Sequence, residues 1–248
     1  MSRIQMSNWG AQPPAMRQSS ITAWLKKPPS VTPEPPSETR ETRETRETLA
    51  TSKFTLPPLP ANVELVPLTD DLMPAFKRLL VLTLPIPYPP AFFAETMQKP
   101  FHGLTLLAVW QSTPPKTTAN NANTATRDSG NSRRVVGAIR CRILPSSMLY
   151  ISTISLLAPY RSHGIASHLL YNIVTKAAKE HGVTRVTAHV WEANEDGLEW
   201  YAKRGFEVVG KEDSYYSKLK PAGAVLVLKP IGVADLLAVK DAAGARDG

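Results

Sequence analysis

Between residues 62 and 231 the chain alternates two hydrophobic periods. Val63–Leu68 is strand-like, and Leu72, Phe76, Leu79 and Leu80 then recur at helical spacing, with Asp70 or Asp71 able to cap that helix. Pro90 to Met97 reads as a second, short helix. Leu104–Trp110 and Arg134–Ile143 read as strands of a hairpin, and Leu149–Leu157 as a further apolar strand. A long helix from about Gly164 to His181 carries Leu169, Leu170, Ile173, Val174 and Ala177 on one face. Strand Arg185–Val190, helix Asn194–Arg204, and strands Phe206–Lys211 and Ala224–Leu228 complete the series. This order predicts an α/β domain: a mixed sheet with helices on both faces.

The flanks differ. Residues 1–61 hold Pro28-Pro29, Pro33-Glu34-Pro35-Pro36 and Pro57-Pro58-Leu59-Pro60, with a Glu-Thr-Arg repeat from Glu38 to Thr48. Such a composition buries too little apolar surface to offset the entropy of ordering, so a disordered tail is expected. Residues 112–132, rich in Thr, Asn, Ala and Ser, read as an enlarged hairpin loop. Residues 232–248 read as a C-terminal tail with room for one short helix. Within the first tail, Gln18, Ile21, Trp24 and Leu25 are spaced so that the apolar three share one side of a helical turn. This spacing resembles the short motif by which replication proteins plug into the sliding clamp; a chance apolar cluster or a segment docking another partner fits it too.

The net charge of +8 favours polyanionic partners, among them a phosphorylated cofactor, ribosomal RNA or an acidic protein. Basic residues are scattered rather than massed on one helix, which argues against specific nucleic-acid reading. The single cysteine, Cys141, lies in a strand-like run, reads as a buried structural thiol, and cannot form an internal disulfide. No His or Cys spacing matches a zinc site, no stretch reaches the ~20 apolar residues of a membrane span, and no secretory h-region opens the chain. The expected location is the cytoplasm, with the nucleus as a second compartment.

Candidate chemistry gathers at Leu157-Ala158-Pro159-Tyr160-Arg161-Ser162-His163-Gly164-Ile165-Ala166-Ser167, between a strand and the long helix. The first amides of a helix lack partners within it and point along its positive end. Gly164 lets backbone approach a phosphate, Arg161 supplies charge, and Ala166 is small. Arg-x-x-Gly-x-Ala in this setting resembles the pyrophosphate loop of the GNAT superfamily. A second segment agrees: Asn194 opens a helix, Tyr201 follows seven residues later, and Gly205-Phe206 ends it. The resemblance implies the GNAT fold, a twisted and mostly antiparallel sheet splayed between its fourth and fifth strands. It also implies acetyl-CoA as cofactor, with no metal.

Leu149-Tyr150-Ile151-Ser152-Thr153-Ile154, Ala188-His189-Val190, Tyr215-Tyr216-Ser217-Lys218 and Leu84-Pro85-Ile86-Pro87-Tyr88 resemble the NatE group of N-terminal acetyltransferases. Over residues 62–231 this resemblance implies an acyltransferase acting on protein N-termini, preferring a retained Met followed by an apolar residue. It implies Tyr150 and His189 around the water that takes the amine proton, with Tyr201 near the thioester sulfur. The cofactor contacts it implies are Ile154, Ser155, Leu156, Leu157, Arg161, Ser162, His163, Gly164, Ile165, Ala166, Ser167, Asn194, Tyr201 and Lys203. A backbone N–H around Ile154 or Ser155 would stabilise the oxyanion. Its substrate contacts are Leu84, Pro85, Ile86, Tyr88, Arg142, Ser152, Tyr215 and Tyr216. The implied partners are the NatA complex and the ribosome. Histidine suits a base acting on an amine of pKa near ~8, while a phenol of pKa near ~10 suits an orienting role. Outside this resemblance, a core histidine fits His189, and a packing aromatic fits Tyr150 as well as a catalytic group does. Two other functions fit the same residues: a non-catalytic scaffold associated with NatA, and a lysine acetyltransferase brought to replication forks by the Gln18–Leu25 segment.

Overall fold

The structure, a computed structural model, describes residues 56–112 and 133–236. The Gln18–Leu25 segment, nearly all of the 112–132 insertion and most of the two tails lie outside the described residues.

Seven strands form one sheet in the order β1-β2-β3-β4-β5-β7-β6. They are β1 Val63–Pro67, β2 Thr105–Gln111, β3 Arg133–Leu144, β4 Met148–Leu156, β5 Arg185–Trp191, β6 Glu207–Glu212 and β7 Ala224–Pro230. Every neighbouring pair is antiparallel except β4 and β5, which run parallel and touch only at Met148↔Arg185, Leu149↔Val186 and Tyr150↔Thr187. Beyond Tyr150 the strands part. The edge of Ile151–Leu156 that a closed sheet would pair with β5 faces a cavity instead. The mixed sheet expected from the sequence is therefore found, and its splay makes the room for a site.

Helices cover both faces: α1 Met73–Thr83, α2 Pro90–Thr96, α3 Ile165–His181 and α4 Glu195–Ala202. Phe76, Leu79 and Leu80 of α1 and Phe92 of α2 pack on Leu107, Val109 and Ala138. On the other face, Ile165, Leu169, Leu170, Ile173, Val174 and Ala177 of α3 pack on Ala108, Ile139, Leu149 and Val186. The alternation of Leu107 and Val109 with Ala108 sends successive β2 side chains to opposite cores, as a pleated strand must. Each large buried aliphatic or Phe side chain contributes roughly 1.5–3 kcal/mol, so packing rather than capping holds these helices. That explains one departure. The N-cap of α1 is Leu72, with no side-chain cap, in place of the expected Asp70 or Asp71; Pro74 stands in the first turn of the helix, where its missing N–H costs nothing.

The domain begins before the residue that composition suggests. Leu56 is buried, and the carbonyl of Pro57 accepts a 2.6 Å hydrogen bond from His168 Nε2 on α3. Residues 56–61, assigned to the tail by their prolines, thus lie against the fold. At the far end Asp235 pairs with Lys229 Nζ at 2.6 Å, joining the start of the C-terminal segment to β7. Cys141 is fully buried, and desolvation pushes its thiol pKa up, as a structural thiol requires. Among the described residues no helix is long and apolar enough to cross a membrane, and no group of three or more His, Cys, Asp or Glu could hold a metal.

Candidate active site

A cavity of about 1170 Å³ runs through the splay between β4 and β5. One end is the turn into α3. Ser162 and Gly164 both have left-handed backbones, φ 64° and 75°, which wraps the chain into a concave turn before the first amides of the helix. Arg161, Ser162, Gly164, Ile165, Ala166 and Ser167 line this end. A Cβ built on Gly164 would stand 2.8 Å from Cγ of Pro57, so the turn is also closely backed. Along the middle wall lie Ile154, Ser155 and Leu156 from β4, facing Asn194, Tyr201 and Lys203 of α4 and its flanks. Asn194 Oδ1 accepts from the Gly197 amide at 3.1 Å, the expected cap, and its carboxamide packs so tightly that a Cβ on Gly197 would enter it. The glycine there, a weak helix former, makes space for the asparagine.

The acceptor end is built by the α1–α2 connection and by the β6–β7 connection. Leu84, Pro85, Ile86 and Tyr88 come from the first, and Tyr215 and Tyr216 from the second. Tyr88 Oη donates to the carbonyl of Ser152 at 2.7 Å, and its ring stacks on Phe92 with centroids 3.8 Å apart. Ser152 is the extra residue of a bulge: β3 pairs Arg140 with Thr153 and then Cys141 with Ile151. Arg140, fully buried, donates to Ser152 Oγ, Thr96 Oγ1 and Glu95 Oε2 at 3.1–3.3 Å, with its guanidinium over the rings of Phe92 and Phe101. Desolvation lowers the Arg140 pKa, and Glu95 pushes it back up.

At the meeting point of the strands, Tyr150 Oη lies 3.2 Å from His189 Nδ1 and 2.9 Å from Tyr215 Oη. His189 Nε2 lies 3.0 Å from Glu212 Oε1. The imidazole and the Tyr215 ring stack, with centroids 4.2 Å apart and planes 8° from parallel. Tyr216 Oη donates to the His189 carbonyl at 3.3 Å. Burial pulls the His189 pKa down, while its bond and attraction to Glu212 pull it up; Arg142 opposes that gain. The imidazole is thus neutral near pH 7 and able to accept a proton. Burial pushes the phenols of Tyr150, Tyr201, Tyr215 and Tyr216 well above their usual range, and Tyr88 up to about 12. All five remain protonated, hence donors rather than bases.

Four candidates do not line the cavity. Tyr150 sits behind its wall, its hydroxyl taken by Tyr215 and His189. Arg142 stands further back with its guanidinium 4.7 Å from the Tyr150 ring, so it is a neighbour of the tyrosine rather than a substrate contact. Leu157 packs into both cores. His163 points outward and bonds the Arg161 carbonyl at 2.6 Å, folding the turn back on itself. The expected peptide contacts of Tyr88, Tyr215 and Tyr216 are also narrower than supposed. The first and last have their protons committed to Ser152 and His189 carbonyls, so toward a peptide they can only accept.

Pro57, Trp200, Arg204 and Glu212 escaped sequence reading. The first three line the cavity. Arg204 donates to Ser167 Oγ from Nε and Nη2, at 3.0 and 2.7 Å, and stacks on Trp200, joining the end of α4 to the start of α3. A cation one residue before the Gly-Phe pair was the available signal. For Glu212 the signal was an acid three residues before the tyrosine pair.

The donor set fits a coenzyme A arm and diphosphate. The turn offers unspent helix-start amides beside Arg161, and the Ser155 hydroxyl on the middle wall is buried with no hydrogen-bond partner.

A family model for the acetyltransferase (GNAT) family matches residues 81–206, half of the chain, and the chain belongs to that family. It is an acyltransferase with acetyl-CoA as donor. Among curated relatives, N-alpha-acetyltransferase 50 of Danio rerio is 34% identical over 99 residues, which is 39% of this chain and 59% of that protein. The probable N-acetyltransferase san of Drosophila melanogaster is 27% identical over 174 residues, 69% of this chain and 82% of the relative. Among solved structures, Arabidopsis thaliana Naa50 in complex with the bisubstrate analogue CoA-Ac-MVNAL has a TM-score of 0.53 and 27% identity, covering 68% of this chain and 99% of that one.

Proposed function

We propose that this chain acetylates the α-amino group of protein N-termini, acting on a retained Met followed by an apolar residue, as an acyltransferase of the NatE type. The observation that carries this reading is the acceptor end of the cavity. Leu84, Pro85 and Ile86 form an apolar slot, rimmed by three tyrosines, which leads toward His189 behind the Tyr215 ring. An unbranched thioether side chain suits such a slot. One relative is an N-alpha-acetyltransferase by name and another a probable N-acetyltransferase, and the Arabidopsis Naa50 structure holds the bisubstrate analogue CoA-Ac-MVNAL, whose peptide part begins with Met.

The roles follow from the residues. Arg161 and the amides of the turn into α3 would hold the diphosphate, while Ser155, Asn194 and Tyr201 would hold the arm. Bound there, acetyl-CoA supplies an acetyl group activated as a thioester. An amine of pKa near ~8 is partly free at neutral pH, so a neutral imidazole suffices to take its proton. His189 does so in concert with Tyr150, and the exposed β4 edge around Ile154 and Ser155 can stabilise charge on the carbonyl oxygen. Tyr201, kept protonated by burial, holds a proton for the departing sulfur. Association with the NatA complex and the ribosome, in the cytoplasm and nucleus, belongs to the same proposal.

The test is transfer of labelled acetyl to peptides beginning Met-Leu, to the same peptides with a blocked α-amine, and to peptides carrying only an internal lysine. Labelling of the first alone is expected. Preference for the internal lysine would overturn the reading.

A further inference from the structure

We propose that Glu212 is a positioning residue for His189 and the outer end of a proton relay, Tyr215–Tyr150–His189–Glu212, which takes up the proton of the acceptor amine and holds it as a His189 imidazolium paired with the carboxylate; this rests on the amine-acetylating reading above. The relay is continuous, with links of 2.9, 3.2 and 3.0 Å. It begins at Tyr215 on the cavity wall and ends at a carboxylate whose side chain is 20% exposed, passing through a fully buried imidazole.

The direction of every link is set at one end. A carboxylate only accepts, so His189 must carry its proton on Nε2 toward Glu212. Nδ1 then holds a lone pair and accepts from Tyr150 Oη. The Tyr150 oxygen in turn accepts from Tyr215 Oη, and Tyr215 is the member of the relay that lines the acceptor end of the cavity. Because the Tyr215 ring lies flat on the imidazole, the amine reaches His189 through these hydroxyls rather than directly.

The step balances. The α-ammonium gives one proton to the Tyr215 oxygen, Tyr215 gives its own to Tyr150, and Tyr150 gives its own to Nδ1. The resulting imidazolium stays paired with the Glu212 carboxylate, which keeps the proton on Nε2, and the Nδ1 proton returns by the same hydroxyls to the cavity once the amide has formed. Among the described residues, the groups facing the imidazole are Tyr150 from β4, Arg142 from β3, Glu212 from β6, and Tyr215 and Tyr216 from the β6–β7 connection. Glu212 is the sole carboxylate among them. Without it, burial and Arg142 both disfavour the imidazolium, and the acidic limb of the rate profile must move to lower pH as the base weakens.

The experiment uses the full chain with Glu212→Gln, Glu212→Asp, Tyr215→Phe and the Glu212→Gln/Tyr215→Phe pair. For Glu212→Gln we expect kcat/KM on a Met-Leu peptide to fall about 10-fold, a fraction of the 10²–10⁴ usual for a general base. Its acidic limb should shift to lower pH, with coenzyme A affinity and melting temperature held, and Glu212→Asp should recover part of the rate. The pair should fall no further than its worse single variant, since a broken relay cannot break twice. An unshifted profile, or additive losses, would overturn the relay. Nitrogen-15 NMR of the imidazoles, with His189 assigned through His189→Gln, reads the tautomer directly. The Nε2–H form is expected and the Nδ1–H form would overturn the relay. The tautomer reading does not depend on the peptide being a substrate, so failure of the acceptor assignment and failure of the relay give different results.

Discussion

Replacing Gly164 with Ala tests how the turn into α3 makes a phosphate site, and the magnitude divides into two parts. At φ 75° an L-residue is in the left-handed region, which costs about 1–2 kcal/mol. The new Cβ would also stand 2.8 Å from Pro57 Cγ, closer than carbon atoms approach, so Pro57 must withdraw. Its carbonyl is held by His168 Nε2 at 2.6 Å, and giving up that bond costs about 1 kcal/mol. The sum, about 2–3 kcal/mol, lowers the melting temperature by roughly 5–10 °C for a domain of this size. Coenzyme A affinity should fall further than stability alone requires. A methyl in the turn disturbs one charge-assisted amide contact worth about 1.5–3 kcal/mol, roughly a 10- to 100-fold loss by calorimetry. Pro57→Ala separates the two parts. It removes Cγ and leaves Cβ at 3.8 Å, an ordinary contact. Combined with Gly164→Ala it should recover about 1 kcal/mol in a double-mutant cycle, the left-handed cost remaining. An unchanged melting temperature for Gly164→Ala, strictly additive melting changes, or undiminished coenzyme affinity would each refute part of this account.

Two further outcomes are expected. Arg140→Met strips Ser152 and Thr96 of their donor; since Glu95 is half exposed and can turn to water, the loss should lie near about 2 kcal/mol rather than the 3–5 of a fully buried pair. The β4 bulge and Tyr88 then loosen together, so peptide KM should rise in steady-state assays while coenzyme affinity holds. Stability should also respond to acid through His189. Its folded pKa is depressed below 6.5, chiefly by burial, so below that value the unfolded chain binds more protons than the folded one. Stability therefore falls as pH drops from about 6.5, and His189→Gln should flatten the melting temperature against pH in that window.

Much of this architecture follows from the order of residues alone. The two hydrophobic periods separate β2, β3 and β4 from α3, because a pleat and a helix each impose their own spacing on whatever faces the core. Arg161, Gly164 and Asn194 mark a helix start and a helix cap, and such local geometry is specified by neighbours in the chain. Tyr150, His189 and Tyr215 are 39 and 65 residues apart in their contacts, yet the motifs that hold them brought them into view together.

Other features arose only when the sheet closed around the site. That Tyr150 stands behind the wall and Tyr215 in front depends on how far β4 and β5 splay, which no spacing encodes. Glu212 meets His189 because β6 is the outer neighbour of β7, a crossing of strands visible only in the sheet order. Pro57 belongs to a segment whose composition argues for disorder, and it is placed by one imidazole 111 residues away. Local rules select elements and caps. Which charge stands beside which base is decided by packing between segments distant in the chain, since only the closed core fixes their separation.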